Sequence, residues 1–274
     1  MFRFRSFSPI ASALAIFLAA CSPPPVAKPP YIDLATNQPA SVVIGQPDFT
    51  STSETDMTRS FTSTYGRPLL LNDVLYLPDY GAGRVMGYLG VPTANDAAAD
   101  FVLGRDGFDD FAPGPASARR LGGPQSLATD GKILIVADAD NNRVLIWNTF
   151  PTSNFAQADV VLGQAGFGTN APGVGASKLD YPQSLHSNGT QLFVADGDNN
   201  RVLIWDAIPT ANGQPADKVL GQADMDSALT DGGSVTPTAM GLAYPSGVYA
   251  FGNNLLVSDN DNARYLIFEG AVAP

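Results

Sequence analysis

The stretch ILIVADADNNRVLIW, Ile133 to Trp147, decides the fold, because the chain repeats it. A near twin, LFVADGDNNRVLIW, runs from Leu192 to Trp205. LLVSDNDNARYLIF spans Leu255 to Phe268, and a degraded copy, LYLPDYGAGRVMGY, spans Leu75 to Tyr88. The arginines Arg84, Arg143, Arg201 and Arg264 stand 59, 58 and 63 residues apart. A second element keeps the same beat: VVIGQ at Val42 to Gln46, FVLGR at Phe101 to Arg105, VVLGQ at Val160 to Gln164 and KVLGQ at Lys218 to Gln222. A regular period of this length marks stacked or radially arrayed supersecondary units.

Within one period the strand signals are legible. Gln125 to Thr129 reads as a short strand, Asp130-Gly131 as a tight turn and Lys132 to Ala137 as a second strand. Asp138 to Asn142 turns the chain into a third strand, Arg143 to Trp147, and Ala158 to Gly163 supplies a fourth. Runs such as ILIV and VLIW are apolar on both faces, so each sheet must be covered on both sides. Four short antiparallel strands per repeat, each sheet between neighbours, predict an all-β protein of the β-propeller class with four four-stranded blades. A solenoid of short parallel coils fits the long antiparallel connections less well. VVIGQ at Val42 to Gln46 precedes its three partners, and no VLGQ strand follows the unit around Arg264. The expectation is that Val42 to Gln46 supplies the outer strand of the last blade and closes the ring.

The pattern L-[FY]-V-A-D-x-x-N-N-R-V after P-x-x-[LV] resembles the NHL repeat. The likeness extends from Ser41 to Phe268, close around Arg143 and Arg201 and weak around Arg84. It implies a propeller scaffold. Propellers of that family commonly carry more than four blades, which leaves open a homodimer of two chains beside the closed monomer. Several propellers similar to NHL proteins are lyases or lactonases with a divalent ion in the channel, and this sets the enzyme alternative.

The N-terminus carries a different signal. Arg3 and Arg5 precede an uncharged apolar run from Ile10 to Ala20, followed by Cys21, the single cysteine. A basic start, a short apolar stretch and small residues before a cleavage point describe an export signal over residues 1–20. Leu18-Ala19-Ala20-Cys21 resembles the lipobox of bacterial lipoproteins, which implies lipidation of Cys21 and, with Ser22 next, placement in the cell envelope at the outer membrane. SPPPVAKPP, Ser22 to Pro30, reads as an extended tether within residues 21–40, leaving residues 41–274 as the propeller. Removal of the signal leaves 13 basic and 26 acidic side chains, a formal charge of -13. That balance argues against a phosphate-backbone ligand, so no nucleic-acid partner is expected.

Repetition separates scaffold from site. Asp79, Asp138, Asp196 and Asp259 each stand five residues before an arginine, Arg84, Arg143, Arg201 and Arg264. A group present in every unit reads as a structural pair, carboxylate against guanidinium. DADNNR lacks the position-six glycine and distal glutamate of an EF-hand, yet calcium held by Asp138, Asp196 and Asp259 near a central channel stays open as the one cofactor. His186, the single histidine, reads as a strand residue, and no catalytic residue stands out.

The longest loops, 47–66, 106–121, 165–181 and 223–244, should share a face with the DxDNN turns, where recognition usually lives. Phe108, Asp109, Asp110, Phe111, Phe167 and Met225 are the candidate contact residues there, although Phe49, Phe108, Phe167 and Met225 also read as one repeated loop anchor. The function expected is a membrane-anchored, non-catalytic scaffold for a protein or glycan partner. The alternatives are a divalent-metal-dependent propeller enzyme of lactonase or lyase type, and a structural module that assembles by dimerisation. Cys21→Ser should move the protein from the membrane to the soluble fraction, and mass spectrometry of the mature wild-type N-terminus should find a lipid on Cys21. A protein still membrane-bound after the substitution would contradict the anchor.

Overall fold

In the computed structural model, residues 36–273 are described. The expected signal, Cys21 and the proline tether lie outside them. Ser41–Pro274 forms one unit. Its first sheet contains β1 (Leu69–Leu71), β2 (Val74–Asp79), β3 (Arg84–Leu89) and β4 (Phe101–Leu103). The second holds β5 (Pro124–Ala128), β6 (Leu134–Asp138), β7 (Arg143–Trp147) and β8 (Val160–Leu162), and the third β9 (Pro182–Ser187), β10 (Leu192–Asp196), β11 (Arg201–Trp205) and β12 (Lys218–Leu220). The fourth has three strands, β13 (Pro245–Phe251), β14 (Asn254–Asp259) and β15 (Arg264–Glu269). Every sheet is an antiparallel meander in chain order.

Alternation within each strand builds the layers. In the second sheet Leu134, Val136, Leu145 and Trp147 face Tyr76, Val85, Phe101 and Leu103 of the first. Ile135, Ala137, Val144 and Ile146 face Leu185, Leu192, Val194 and Leu203 of the third. Phe193, Ala195, Val202 and Ile204 then meet Val248, Ala250, Leu255 and Val257 of the fourth. The middle sheets are thus buried on both faces, which is why their strands are apolar throughout. Each buried Val, Leu, Ile or Phe among them contributes about 1.5–3 kcal/mol.

The recurrent spacing of five residues between aspartate and arginine has a geometric cause. Asp138 and Arg143 are cross-strand neighbours at the end of β6 and β7, and the Arg143 Nε donates to Asp138 Oδ2 at 2.8 Å. The same bond recurs from Arg84 to Asp79 at 2.9 Å, Arg201 to Asp196 at 2.8 Å and Arg264 to Asp259 at 2.6 Å. The other oxygen, Asp138 Oδ1, accepts the backbone N–H of Gly122 and Gly123. The guanidinium meanwhile donates to the carbonyls of Ser117 and Arg120 in the loop before its sheet, and of Phe167 in the loop after it. Arg84 and Arg201 bind the same way, reaching Ser60 and Phe108 in one case, and Lys178 and Met225 in the other. The first three pairs are each a clasp on two long loops, whereas Arg264 reaches only Thr238 and Gly241 in the loop before its sheet.

One expectation is corrected. Val42 to Gln46 forms no ladder with β15, so the last sheet keeps three strands and the ring is not closed by the N-terminal segment. Val43 instead accepts from Asp96 N and donates to Asn95 Oδ1, and Ile44 packs with Met86, Tyr88 and Phe61. The segment is held by the first sheet, and the four sheets do not bring β15 round to it. Tyr265 and Ile267 are 72% and 58% exposed, whereas their counterparts in the second sheet, Val144 and Ile146, are fully buried.

Removing one member of a fully buried ion pair strands the other charge, which costs about 3–5 kcal/mol. Asp138→Ala should lose stability on that scale in urea unfolding. Asp259→Ala should lose less, because the Arg264 side chain is 26% exposed and water reaches it.

Candidate functional site

At the turn face the repeats stop being identical. In the first sheet Tyr80 follows the clasp aspartate, where the others have Ala139, Gly197 and Asn260. The Tyr80 hydroxyl donates to Asp140 Oδ1 at 2.8 Å and lies 3.0 Å from the Tyr181 hydroxyl. Gln125 Nε2 donates to that Tyr181 oxygen at 2.9 Å. A phenol has one proton, and Tyr80 spends its own on Asp140, so Tyr181 is the donor to Tyr80. The result is a directed chain, Gln125 to Tyr181 to Tyr80 to Asp140, ending on an exposed carboxylate. It joins the β2–β3 turn, the β6–β7 turn, β5 and the loop into β9. Burial, then the bonds to Tyr181 and Asp140, holds the Tyr80 phenol protonated well above its ordinary range.

The next tyrosine is set by the same construction. Tyr181 and Tyr244 each precede a proline and adopt φ of 51°. Large side chains rarely take this left-handed conformation, and it persists only where the surroundings impose it. Here the backbone N–H of Tyr181 donates to Asn142 Oδ1 and that of Tyr244 to Asn200 Oδ1, both at 2.9 Å, so the last Asn of each DxDNN turn holds the tyrosine of the next sheet. Around them burial raises the Asp180 and Asp198 carboxyls, with the Asp198 charge adding to the effect at Asp180. Burial also raises the Tyr244 phenol, helped by Asp198, Tyr181 and Asp261. The second aspartates of the turns, Asp140, Asp198 and Asp261, are exposed beside these phenols.

A separate cluster lies on the innermost strands. Arg67 is pinned through its backbone N–H to the Gln125 carbonyl, and its Nη1 is 3.2 Å from His186 Nδ1. Guanidinium only donates, so Nδ1 is the acceptor and the imidazole is neutral. The His186 and Tyr249 ring centroids are 4.8 Å apart, with the Arg67 guanidinium 6.0 Å from the Tyr249 centroid.

The loop residues singled out from the sequence divide among three places. Phe108, Phe167 and Met225 give their carbonyls to Arg84, Arg143 and Arg201, and their side chains pack into three different apolar clusters. Asp109 is exposed, and Asp110 binds the Arg120 guanidinium at 2.9 Å. Phe111 is 45% exposed, with its ring centroid 5.4 Å from the Arg84 guanidinium carbon. Asp138, Asp196 and Asp259 are buried, each with both oxygens occupied by donors. Among the described residues no group of three or more His, Cys, Asp or Glu side chains is placed to hold a metal ion.

Sequence reasoning missed Tyr80, Tyr181, Tyr244, Gln125 and Arg67. Two signals were present: Tyr80 breaks the repeat at one position, and Tyr-Pro recurs at Tyr181-Pro182 and Tyr244-Pro245 where the second unit has Gly123-Pro124.

No protein-family model matches the chain, and no curated protein matches it. Solved structures align at low identity. BamB from Moraxella catarrhalis is 13% identical, with 75% of this chain and 44% of that chain covered and a TM-score of 0.40. Myxococcus xanthus glutaminyl cyclase is 10% identical, with coverage of 72% and 61% and a TM-score of 0.40. The computationally designed Ika8 protein is 10% identical, with coverage of 78% and 48% and a TM-score of 0.43. This chain therefore spans about half to three fifths of their length. Likenesses this low carry no conclusion about function.

Burial, then the Arg67 charge, pushes His186 down to about 4 from an ordinary 6.5. The unfolded chain therefore takes up this proton first, and stability drains away as pH falls from about 6.5 to about 4, with no further loss from this group below that. His186→Gln should flatten the pH dependence of the urea midpoint across that window. An unchanged slope would contradict a neutral, half-buried imidazole.

Proposed function

We propose that this chain is an envelope lipoprotein, anchored through Cys21, whose NHL-like propeller scaffold binds a protein or glycan partner on its turn face. The observation that carries the reading is the directed chain from Gln125 through Tyr181 and Tyr80 to Asp140. Phenols, a carboxylate and an amide fixed on rigid turns are recognition chemistry: flat aromatic faces with polar tips at low conformational cost. The strained tyrosines support it, since backbone strain of this kind clusters at functional positions. Asp140, Asp198 and Asp261 on the same face, in a chain of formal charge -11, favour a basic or neutral partner. The tether between Cys21 and the first repeat would space the repeats from the lipid anchor.

Binding to a panel of lysine-bearing peptides and neutral oligosaccharides tests the proposal by calorimetry. At least one class should bind, and Tyr181→Phe or Asp140→Asn should weaken it about tenfold, the effect of losing roughly one hydrogen bond. Asp109→Asn should leave the affinity unchanged, because Asp109 lies outside the chain of bonds. Binding to neither class, or binding indifferent to both turn-face substitutions, would overturn it.

A further inference from the structure

Among the described residues, the segment Val42 to Gln46 belongs to no sheet and the last sheet has three strands where the others have four. We infer that the two fit each other between copies: Val42 to Gln46 of one chain is the fourth strand of the last sheet of a second chain. This is independent of what the turn face binds.

Four correspondences between the segment and the fourth strands point to this pairing. Two of the three fourth strands, β4 and β8, are fixed to the sheet that follows them by one repeated pair of bonds: Val102 to Asn154 Oδ1 and Phe155 N, Val161 to Asn212 Oδ1 and Gly213 N. Val43 makes the same pair with Asn95 Oδ1 and Asp96 N. The segment therefore already sits as the fourth strand of a sheet that the described residues do not supply. Second, Gly45 keeps the left-handed φ of 97° found at Gly104, Gly163 and Gly221 (90°, 82° and 94°), and meets Phe61 as those three meet Leu121, Leu179 and Leu242.

Third, the backbone groups of Val43 are taken by its own chain, so those of Val42 and Ile44 point the other way, as alternation along a strand requires. Their counterparts in β8, Val160 and Leu162, pair with Ile146 and Val144 of β7. By the same register Val42 and Ile44 would pair with Ile267 and Tyr265 on the outer edge of β15. Among the described residues that edge has no neighbouring strand. An unpaired edge flanked by exposed Tyr265 and Ile267 is a template for pairing.

Fourth, the clasp itself is incomplete there. Arg84, Arg143 and Arg201 use Nη1 on the carbonyl four residues after the strand-four glycine, at Phe108, Phe167 and Met225. Arg264 uses Nε and Nη2 only. Phe49 occupies the matching position after Gly45 and is 55% exposed, against partial burial of the other three. In the pair of copies Arg264 Nη1 would donate to the Phe49 carbonyl. A cleft of about 550 Å³ beside Ile44, Gly45 and Phe61 opens where the incoming sheet would stand. The one departure is Ser41, where the other strands are preceded by Asp100, Asp159 and Asp217.

Two chains exchanging strands in this way complete each other. The test uses full-length chains in a Cys21→Ser background, so that the introduced cysteines are the only thiols. Copies carrying Val43→Cys are mixed with copies carrying Leu266→Cys, the pair that corresponds to Val102 and Met86. Such directly opposed, non-hydrogen-bonded residues lie within disulfide reach. Mild oxidation should yield a cross-linked species of two chains, and replacing Val43→Cys by Asp48→Cys should lose it. The parent chain should sediment at the mass of two chains and Val42→Pro at one, since proline removes only the outward donor. A parent that sediments as one chain, or a two-chain species that forms no Val43–Leu266 cross-link, would overturn the inference.

Discussion

The structure depends on a charge that has nowhere to go. Each complete repeat buries an arginine and an aspartate, and the arrangement is tolerable because every polar atom of the pair has a partner. Three of the four pairs have no exposed side-chain surface on either member. Such pairs contribute modestly in net terms but make the alternatives expensive. Here they specify geometry. The carboxylate takes backbone N–H groups of the loop before its sheet, and the guanidinium takes carbonyls from the loops on both sides, so one pair sets where two connections of more than a dozen residues lie.

Much of this was legible in the sequence, because within-sheet structure repeats and repetition is visible. The third strand of the template unit, Arg143 to Trp147, coincides with β7, and the other three strands differ from β5, β6 and β8 only at their ends. The spacing of Asp138 and Arg143 showed a pair. It did not show that Phe167 and Met225 lend carbonyls to the neighbouring clasps, which requires knowing how one sheet sits on the next. The fate of Val42 to Gln46 was hidden for the same reason: its motif names it a fourth strand, but the turn accumulated over four sheets decides which third strand it can meet.

The candidate site was the least legible part, since it is made where the repeats differ. Tyr80 stands alone of its kind in a single turn, its partners Asp140 and Tyr181 are 60 and 101 residues away in sequence, and Gln125 is 56 residues from the Tyr181 it binds. Periodicity cannot report a contact that occurs once. The contact of Arg67 with His186, 119 residues apart, was hidden likewise, because it follows from the inner strands being gathered together. The regular clasps and the irregular tyrosines are nonetheless connected: Asn142 and Asn200, which close the clasp turns, also hold Tyr181 and Tyr244 in their strained backbone.

A single buried pair organises loops on both sides of its sheet, and amide hydrogen exchange on Arg143→Met tests this most directly. Exchange should be faster at 117–123 and also at 165–169, with protection in β10 and β14 unchanged. Faster exchange confined to the β6–β7 turn, or a uniform rise through all four sheets, would contradict it.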